Sequence, residues 1–159
     1  MPIRWWIISY QISEYRYLKV NYESCVDWKL ATDYLRCNPQ FFGAPRYDCA
    51  YVQLTPTKTA FVRLITFFTC QIHGFGELQL ALVQPYIAGV GRERELDRAM
   101  KLTRVKAVPR SDSTFIPLVS IIQGALLFPD PKKKDEFLVV DHVDGDMFLR
   151  MKTWKRDGA

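Results

Sequence analysis

Three carboxylates, Asp141, Asp144 and Asp146, sit close together near the end of the chain, with His142 between the first two. Clustered carboxylates can hold divalent ions for phosphoryl-transfer chemistry. The segment reads VVDHVDGDMFLRM, however, and Asp144-Gly145 is a strong signal for a tight type I′ hairpin turn. Such a turn needs positive φ at both central positions, which Asp and Gly tolerate. The spacing of a calcium-binding loop is absent. Turn chemistry therefore accounts for these acids. A metal-dependent nuclease accessory centred on residues 141–146 stands as the alternative, beside a relic fragment with no autonomous activity.

The other reactive residues form no recognisable constellation. Cys70-Gln71-Ile72-His73 has the spacing of half a zinc site. Structural zinc takes four ligands, and a second half would have to come from the distant Cys37 or Cys49. With Cys25, the four cysteines fit neither a disulfide framework nor paired zinc knuckles. Free thiols, no bound metal and no cofactor are expected. His73 and His142 have no nucleophile at a spacing that marks a triad. Gly89-Val90-Gly91 lacks the Lys-Ser/Thr that completes a phosphate loop. No catalytic residue is assigned, and the chain is expected not to be an enzyme.

The basic residues make a better binding candidate. Arg92, Arg94, Arg98, Arg104, Lys106 and Arg110 fall in one segment, and Lys132, Lys133 and Lys134 form a second patch. On a strand, Arg104 and Lys106 would share a face, because side chains alternate. Such groups neutralise phosphates and release counterions. Glu93, Glu95 and Asp97 offset part of the first segment, so a solvated charged loop is the plain alternative. The aromatic residues, Trp28 and Trp154 among them, could build a methyl-lysine cage or a base-stacking platform. Core packing is the commoner fate of such side chains.

The elements that must position these groups read as mainly β. RYDCAYVQL, TAFVRLITFFTC, ELQLALVQPY, KLTRVKAV and FIPLVSIIQGALLF are short apolar runs, each closed by Pro, Gly or Ser/Asp signals. The run over 59–70 is apolar at both parities, which predicts a central strand. The final run predicts an antiparallel hairpin of 136–143 with 146–151. Residues 24–36 predict a short helix, with Val26, Leu30, Ala31, Tyr34 and Leu35 on one face and Ser24 as its cap. A helical turn is expected near 92–100. The expected fold is one partly open antiparallel barrel or curved sheet with one or two short helices, over residues 15–154. Residues 1–14 read as a lead-in of the kind a truncated gene model produces, and 155–159 as a tail.

Composition agrees with a self-sufficient domain. The chain has 159 residues, 48% hydrophobic and 14% aromatic, with a formal net charge of +5. That supplies a core without staples. A sequence pI of about 9.1 permits an anionic partner without demanding one. The opening MPIRWWIISYQ has too short an apolar run for a signal peptide. No run approaches the ~18 apolar residues of a membrane span. A soluble intracellular location with no membrane partner is expected.

A family resemblance adds to this reading. The phrases TDYLRCNPQFFGAPRYDCAYVQL, FVRLITFFTC, LALVQPY, LTRVKAVPR, FIPLVSIIQGALLFPD and FLVVDHVDGDMFLRM occur in that order. As an ordered set they resemble the C-terminal domain of transposon-encoded proteins of mushroom-forming fungi, the Plavaka-type elements of the Kyakuja–Dileera–Zisupton group. In outline, the succession of strands is also similar to bromo-adjacent homology domains, which are non-catalytic chromatin modules. The resemblance implies a nuclear, non-catalytic interaction module that binds DNA, a nucleosome or a histone. It also implies a transposase-like region in a longer parent protein.

Overall fold

A computed structural model describes residues 11–88 and 95–156. Within them the chain is mainly β. The strands are β1 (Gln11–Tyr15), β2 (Tyr17–Glu23), β3 (Leu30–Phe41), β4 (Ala44–Tyr47), β5 (Cys49–Thr55), β6 (Lys58–Ile72), β7 (Gly76–Ala88), β8 (Thr103–Ala107), β9 (Thr114–Pro117), β10 (Ile121–Ala125), β11 (Leu127–Pro129) and β12 (Glu136–Val139). Two α-helices, α1 (Glu95–Ala99) and α2 (Gly145–Arg156), join them. One antiparallel sheet runs β10-β5-β6-β7-β8-β12-β11, with β1 added on β6 and β9 on β7. A second, three-stranded sheet runs β2-β3-β4. The large sheet is curved and does not close into a barrel.

The long strands explain the curvature. The first half of β6 pairs with β5, and its second half pairs with β1. The change of neighbour falls at a bulge between Leu64 and Thr66, and a bulge sharpens the local twist. β7 likewise pairs with β9 at Leu80–Val83 and with β8 at Tyr86–Ala88. The run over 59–70 is indeed central; residues 60–64 bury side chains on both faces, and from Ile65 to Cys70 only Phe67 is fully buried.

The two faces of the large sheet carry different covers. On one, Ala50, Val52, Val62, Leu64, Ala81 and Val83 meet Val20, Leu35 and Cys37 from the small sheet. On the other, Tyr51, Phe61, Tyr86, Val105 and Val139 meet Met147 and Met151 of α2. Phe61 and Trp154 also pack edge to face at 5.6 Å. Both methionines are essentially fully buried, which stabilises the helix–sheet contact by about 1.5–3 kcal/mol each.

Two sequence expectations are corrected here. Residues 136–143 and 146–151 form no hairpin across Asp144-Gly145, because α2 begins at that point. Asp and Gly favour a helix cap as well as a tight turn. Asp144 Oδ1 accepts the Asp146 N–H at 2.9 Å, and its carbonyl accepts the Phe148 N–H at 2.9 Å. The spacing of Met147, Met151 and Trp154 is helical, and that face is the one that is buried. Phe148 and Leu149 stay exposed.

The helix over 24–36 is also absent. Ser24 does cap a turn, accepting the Val26 and Asp27 N–H groups on its hydroxyl. The turn stops at Trp28, whose φ is 60°. Leu30 onward then pairs with β2 along the whole of Tyr17–Glu23. Tertiary pairing overrides the local periodicity. Residues 11–14, read as part of a lead-in, belong to β1. Of the helical turn expected near 92–100, the segment 95–99 is helical, and residues 89–94 lie outside the described residues.

Candidate nucleic-acid interface

Arg104 occupies the centre of the basic segment and faces inward. Its Nε and Nη2 donate to the Asp97 carboxylate at 2.7 and 3.1 Å. Its Nη1 donates to Asp130 at 2.6 Å and Glu136 at 3.1 Å. The side chain is only 13% exposed. These bonds, those to Asp97 first, hold the guanidinium pKa above its ordinary value. One cation thus ties α1, β8, β12 and the loop before β12 together. Arginine suits this role because its planar fork can serve several carboxylates at once.

The same clamp sorts the charges of the neighbouring loop. Asp130 and Glu136 turn in toward Arg104, while Lys132, Lys133 and Lys134 are exposed between them. Asp130 also fixes the loop backbone, accepting the Lys132 N–H at 2.8 Å. Lys106 is exposed on β8, directly opposite Glu136 in register. The Ala107 N–H donates to the Asp135 carbonyl at 2.8 Å, which seats the lysine loop beside β8. Lys106, Lys132, Lys133 and Lys134 therefore surround one corner of the sheet. Within residues 130–136, Asp135 is the exposed carboxylate.

The remaining predicted residues scatter. Arg98 is exposed on α1, and Arg110 is exposed in a single 3-10 turn after β8. Arg92 and Arg94 lie outside the described residues. Sequence reasoning places Arg104 among the phosphate contacts, but its donors are occupied within the fold.

Two of the acids at 141–146, Asp144 and Asp146, make structural hydrogen bonds. Asp144 caps α2 and also accepts Gln123 Nε2 at 2.6 Å. Gln123 is fully buried and in turn accepts Arg150 Nε at 2.9 Å. Asp146 accepts the backbone N–H of Cys25, which ties the 24–29 turn to the helix start. Asp33, from β3, accepts the Gly124 N–H at 2.7 Å. Burial, offset in part by that bond, pushes the Asp33 carboxyl above its ordinary value, and Asp144 and Asp146 add to the rise. Asp141 lies 3.8 Å from His142 Nδ1. Among the described residues, no group of three His, Cys, Asp or Glu side chains is placed to hold a metal ion.

Two thiols, Cys37 and Cys49, are poorly suited to nucleophilic chemistry. Burial pushes Cys37 up to about 12 and also raises Cys49. The thiolate is the reactive form, so both are held in the inert one. Cys49 Sγ lies 3.7 Å from Tyr86 Oη, whose own pKa is raised chiefly by burial. An open groove of about 1040 Å³ runs past Tyr51, Tyr86 and Trp154, and its lining carries no charged pair or activated nucleophile.

The outer face of the small sheet is the feature that sequence reasoning missed. Register places Tyr17 opposite Arg36 and Lys19 opposite Tyr34, on the side away from Val20 and Leu35. Tyr17 and Tyr34 stack with ring centroids 5.8 Å apart and planes 15° apart. The Arg36 guanidinium lies 5.7 Å from the Tyr17 ring and 5.1 Å from Phe41. Arg46 lies 4.9 Å from Phe41 and pairs with Asp48 at 2.8 Å. Phe42 closes the β3–β4 turn at φ 47° with its residue 92% exposed. A large side chain in that conformation is unfavourable locally. The helix assigned to 24–36 hid this face, because it put Tyr34 with Leu35 instead of with Lys19 and Arg36.

No protein-family model matches the chain, and neither a curated protein nor a solved structure matches it.

Proposed function

We propose that this domain is a non-catalytic module that binds DNA, bare or in chromatin, mainly through phosphates. The observation that carries the reading is the charge sorting around Arg104. Asp97, Asp130 and Glu136 are drawn inward, and Lys106, Lys132, Lys133 and Lys134 are left outward at one corner. Such a corner provides counterion-release binding without base contacts. Arg98 and Arg110 flank it as secondary contacts. The raised Cys37 and Cys49 thiols and the structural use of Asp144 and Asp146 favour a binding role over a catalytic one. The resemblance to fungal transposon-encoded proteins supports a nuclear setting and a longer parent with a transposase-like region. Among the described residues no helix is long and apolar enough to cross a membrane.

The test is a salt titration of binding to a short DNA duplex and to nucleosomes. Affinity should fall steeply with salt and vary little with sequence. Replacing Lys106, Lys132, Lys133 and Lys134 together by alanine should lower the salt slope by about one for each phosphate no longer neutralised. An unchanged slope would remove the corner from consideration. Arg104 should be left intact in this experiment, since its loss would test folding instead of binding.

A further inference from the structure

We infer that the outer face of the β2–β3–β4 sheet is a binding site for single-stranded nucleic acid, separate from the lysine corner. The inference shares with the proposed function only the class of ligand. Its support is a different set of residues in a different sheet. Along this face, aromatic rings and cations alternate: Lys19 beside Tyr34, Tyr17 beside Arg36, then Phe41, with Phe42 at the turn. Tyr17 and Tyr34 are each about half exposed, at 49% and 51%, and Phe42 is 92% exposed.

The chemistry selects the ligand. A protein core partner would favour an apolar patch, but here Lys19 pairs with Tyr34 in register and Arg36 lies over Tyr17 and Phe41. Among the described residues no ion pair involves Lys19 or Arg36, and Asp48 is taken up by Arg46 and the Arg36 backbone N–H. Lys19 and Arg36 beside partly exposed rings, with the carboxylate of Glu23 at the far end of the face, complement a polyanion whose bases are unstacked. Duplex DNA hides its bases' faces, so the rings would contribute nothing to it. From Tyr34 to Phe42 the strand covers on the order of 25 Å, enough for a few nucleotides. Phosphates would sit near Lys19 and Arg36, and bases would stack on Tyr34 and Phe42, with Tyr17 backing the Tyr34 ring. Sequence preference should be slight, because every base presents a π-face.

The experiment is fluorescence anisotropy with a labelled twelve-nucleotide oligothymidylate and, in parallel, a twelve-base-pair duplex. Tyr17→Ala with Tyr34→Ala should weaken oligothymidylate binding by roughly fivefold or more, the value of the stack on Tyr34 that Tyr17 supports. Duplex binding should be unchanged. Tyr17→Phe with Tyr34→Phe should bind like the parent, because the π-face is kept. Lys19→Glu should weaken single-strand binding without touching a ring. Urea unfolding of each variant verifies that the sheet is intact. If the double alanine variant folds and binds oligothymidylate as the parent does, the inference is overturned. It is also overturned if the parent binds the duplex but not the single strand. If the lysine-corner variant loses the duplex alone while the tyrosine variant loses the single strand alone, both readings stand. Loss of single-strand binding in the lysine-corner variant alone would assign that ligand to the corner.

Discussion

Arg104 and Arg36 are both strand arginines set among potential partners, and the fold treats them in opposite ways. Arg104 is sealed by Asp97, Asp130 and Glu136 and is 13% exposed. Arg36 lies between the faces of Tyr17 and Phe41, and no described carboxylate pairs with its guanidinium. The first arginine has exchanged its hydration for charge-assisted hydrogen bonds and now organises the fold. The second keeps donors that a ligand can still use. Sequence density of positive charge points to the Arg104 segment, yet Arg104 at its centre is enclosed by carboxylates, and exposed positive charge is found on Lys106, on the lysine loop beside it and on the other sheet. What decides is where the carboxylates turn.

The largest break in this comparison comes from Arg104→Ala. It would strand three carboxylates around an empty position, and removing one partner of a buried charge cluster costs about 3–5 kcal/mol. Urea unfolding should show that loss. Arg36→Ala should cost no more than about 1 kcal/mol, since an exposed cation–π contact is worth little. Equal effects at the two positions would dissolve the distinction.

Arg104→Lys sharpens it. The charge is kept, but the fork that bonds Asp97 twice and reaches Asp130 and Glu136 is lost. A compact ammonium cannot replace those directions. We expect destabilisation by about 1.5–3 kcal/mol, the value of charged hydrogen bonds that go unmade. Full rescue by lysine would mean that net charge, not geometry, holds the corner.

The α2 start offers a third region, built like the corner and not like the outer face. Asp144 caps the helix and bonds Gln123, which binds Arg150. Asp144→Ala should cost about 1–2 kcal/mol through the lost cap. Asp144→Asn should recover only part of it, because its amide oxygen can still accept the Asp146 N–H but its NH2 group meets the Gln123 Nε2 donor. A variant with parental stability would show that the cap is dispensable and that Met147 and Met151 alone seat the helix.

These residues also mark what is legible in the sequence. The β class, the central place of 59–70 and the strands closed by turn signals are all visible, because alternation and two-faced apolarity depend on near neighbours. The start of α2 is misread because Asp-Gly serves two local structures, and the choice between them is made by Met147 and Met151 finding the large sheet's second face. The β3 strand is misread because Leu30, Ala31, Tyr34 and Leu35 satisfy a helical period, while their pairing with β2 is a property of tertiary structure. The outer aromatic face goes unseen with it. The inward turn of Arg104 depends on Asp130 and Glu136, both more than twenty residues away, and no local pattern announces it.

The smallest effect is expected on the inner side of the sheet that carries Arg36. Asp33 faces the core side, opposite Val20 in register, and its carboxyl is raised by burial and by Asp144 and Asp146. A carboxyl whose folded pKa lies above its unfolded value prefers its proton in the folded state. Its contribution is therefore most favourable below the unfolded carboxylate range, near 3.9. That contribution is lost as pH rises through the raised folded value. Asp33→Asn keeps an oxygen to accept the Gly124 N–H and cannot ionise. The variant should match or slightly exceed the parent in stability at pH 7. Its advantage should shrink as pH falls, because the parent's folded Asp33 takes up its proton more readily than the unfolded chain does. The measurement is the difference between the two proteins' urea midpoints at pH 7, 6, 5 and 4, which cancels the other carboxylates. A difference that stays constant across that range would mean Asp33 titrates normally. An advantage that grows on acidification would mean its carboxylate is stabilised by the fold, and the contrast between the two sides of this sheet would then need redrawing.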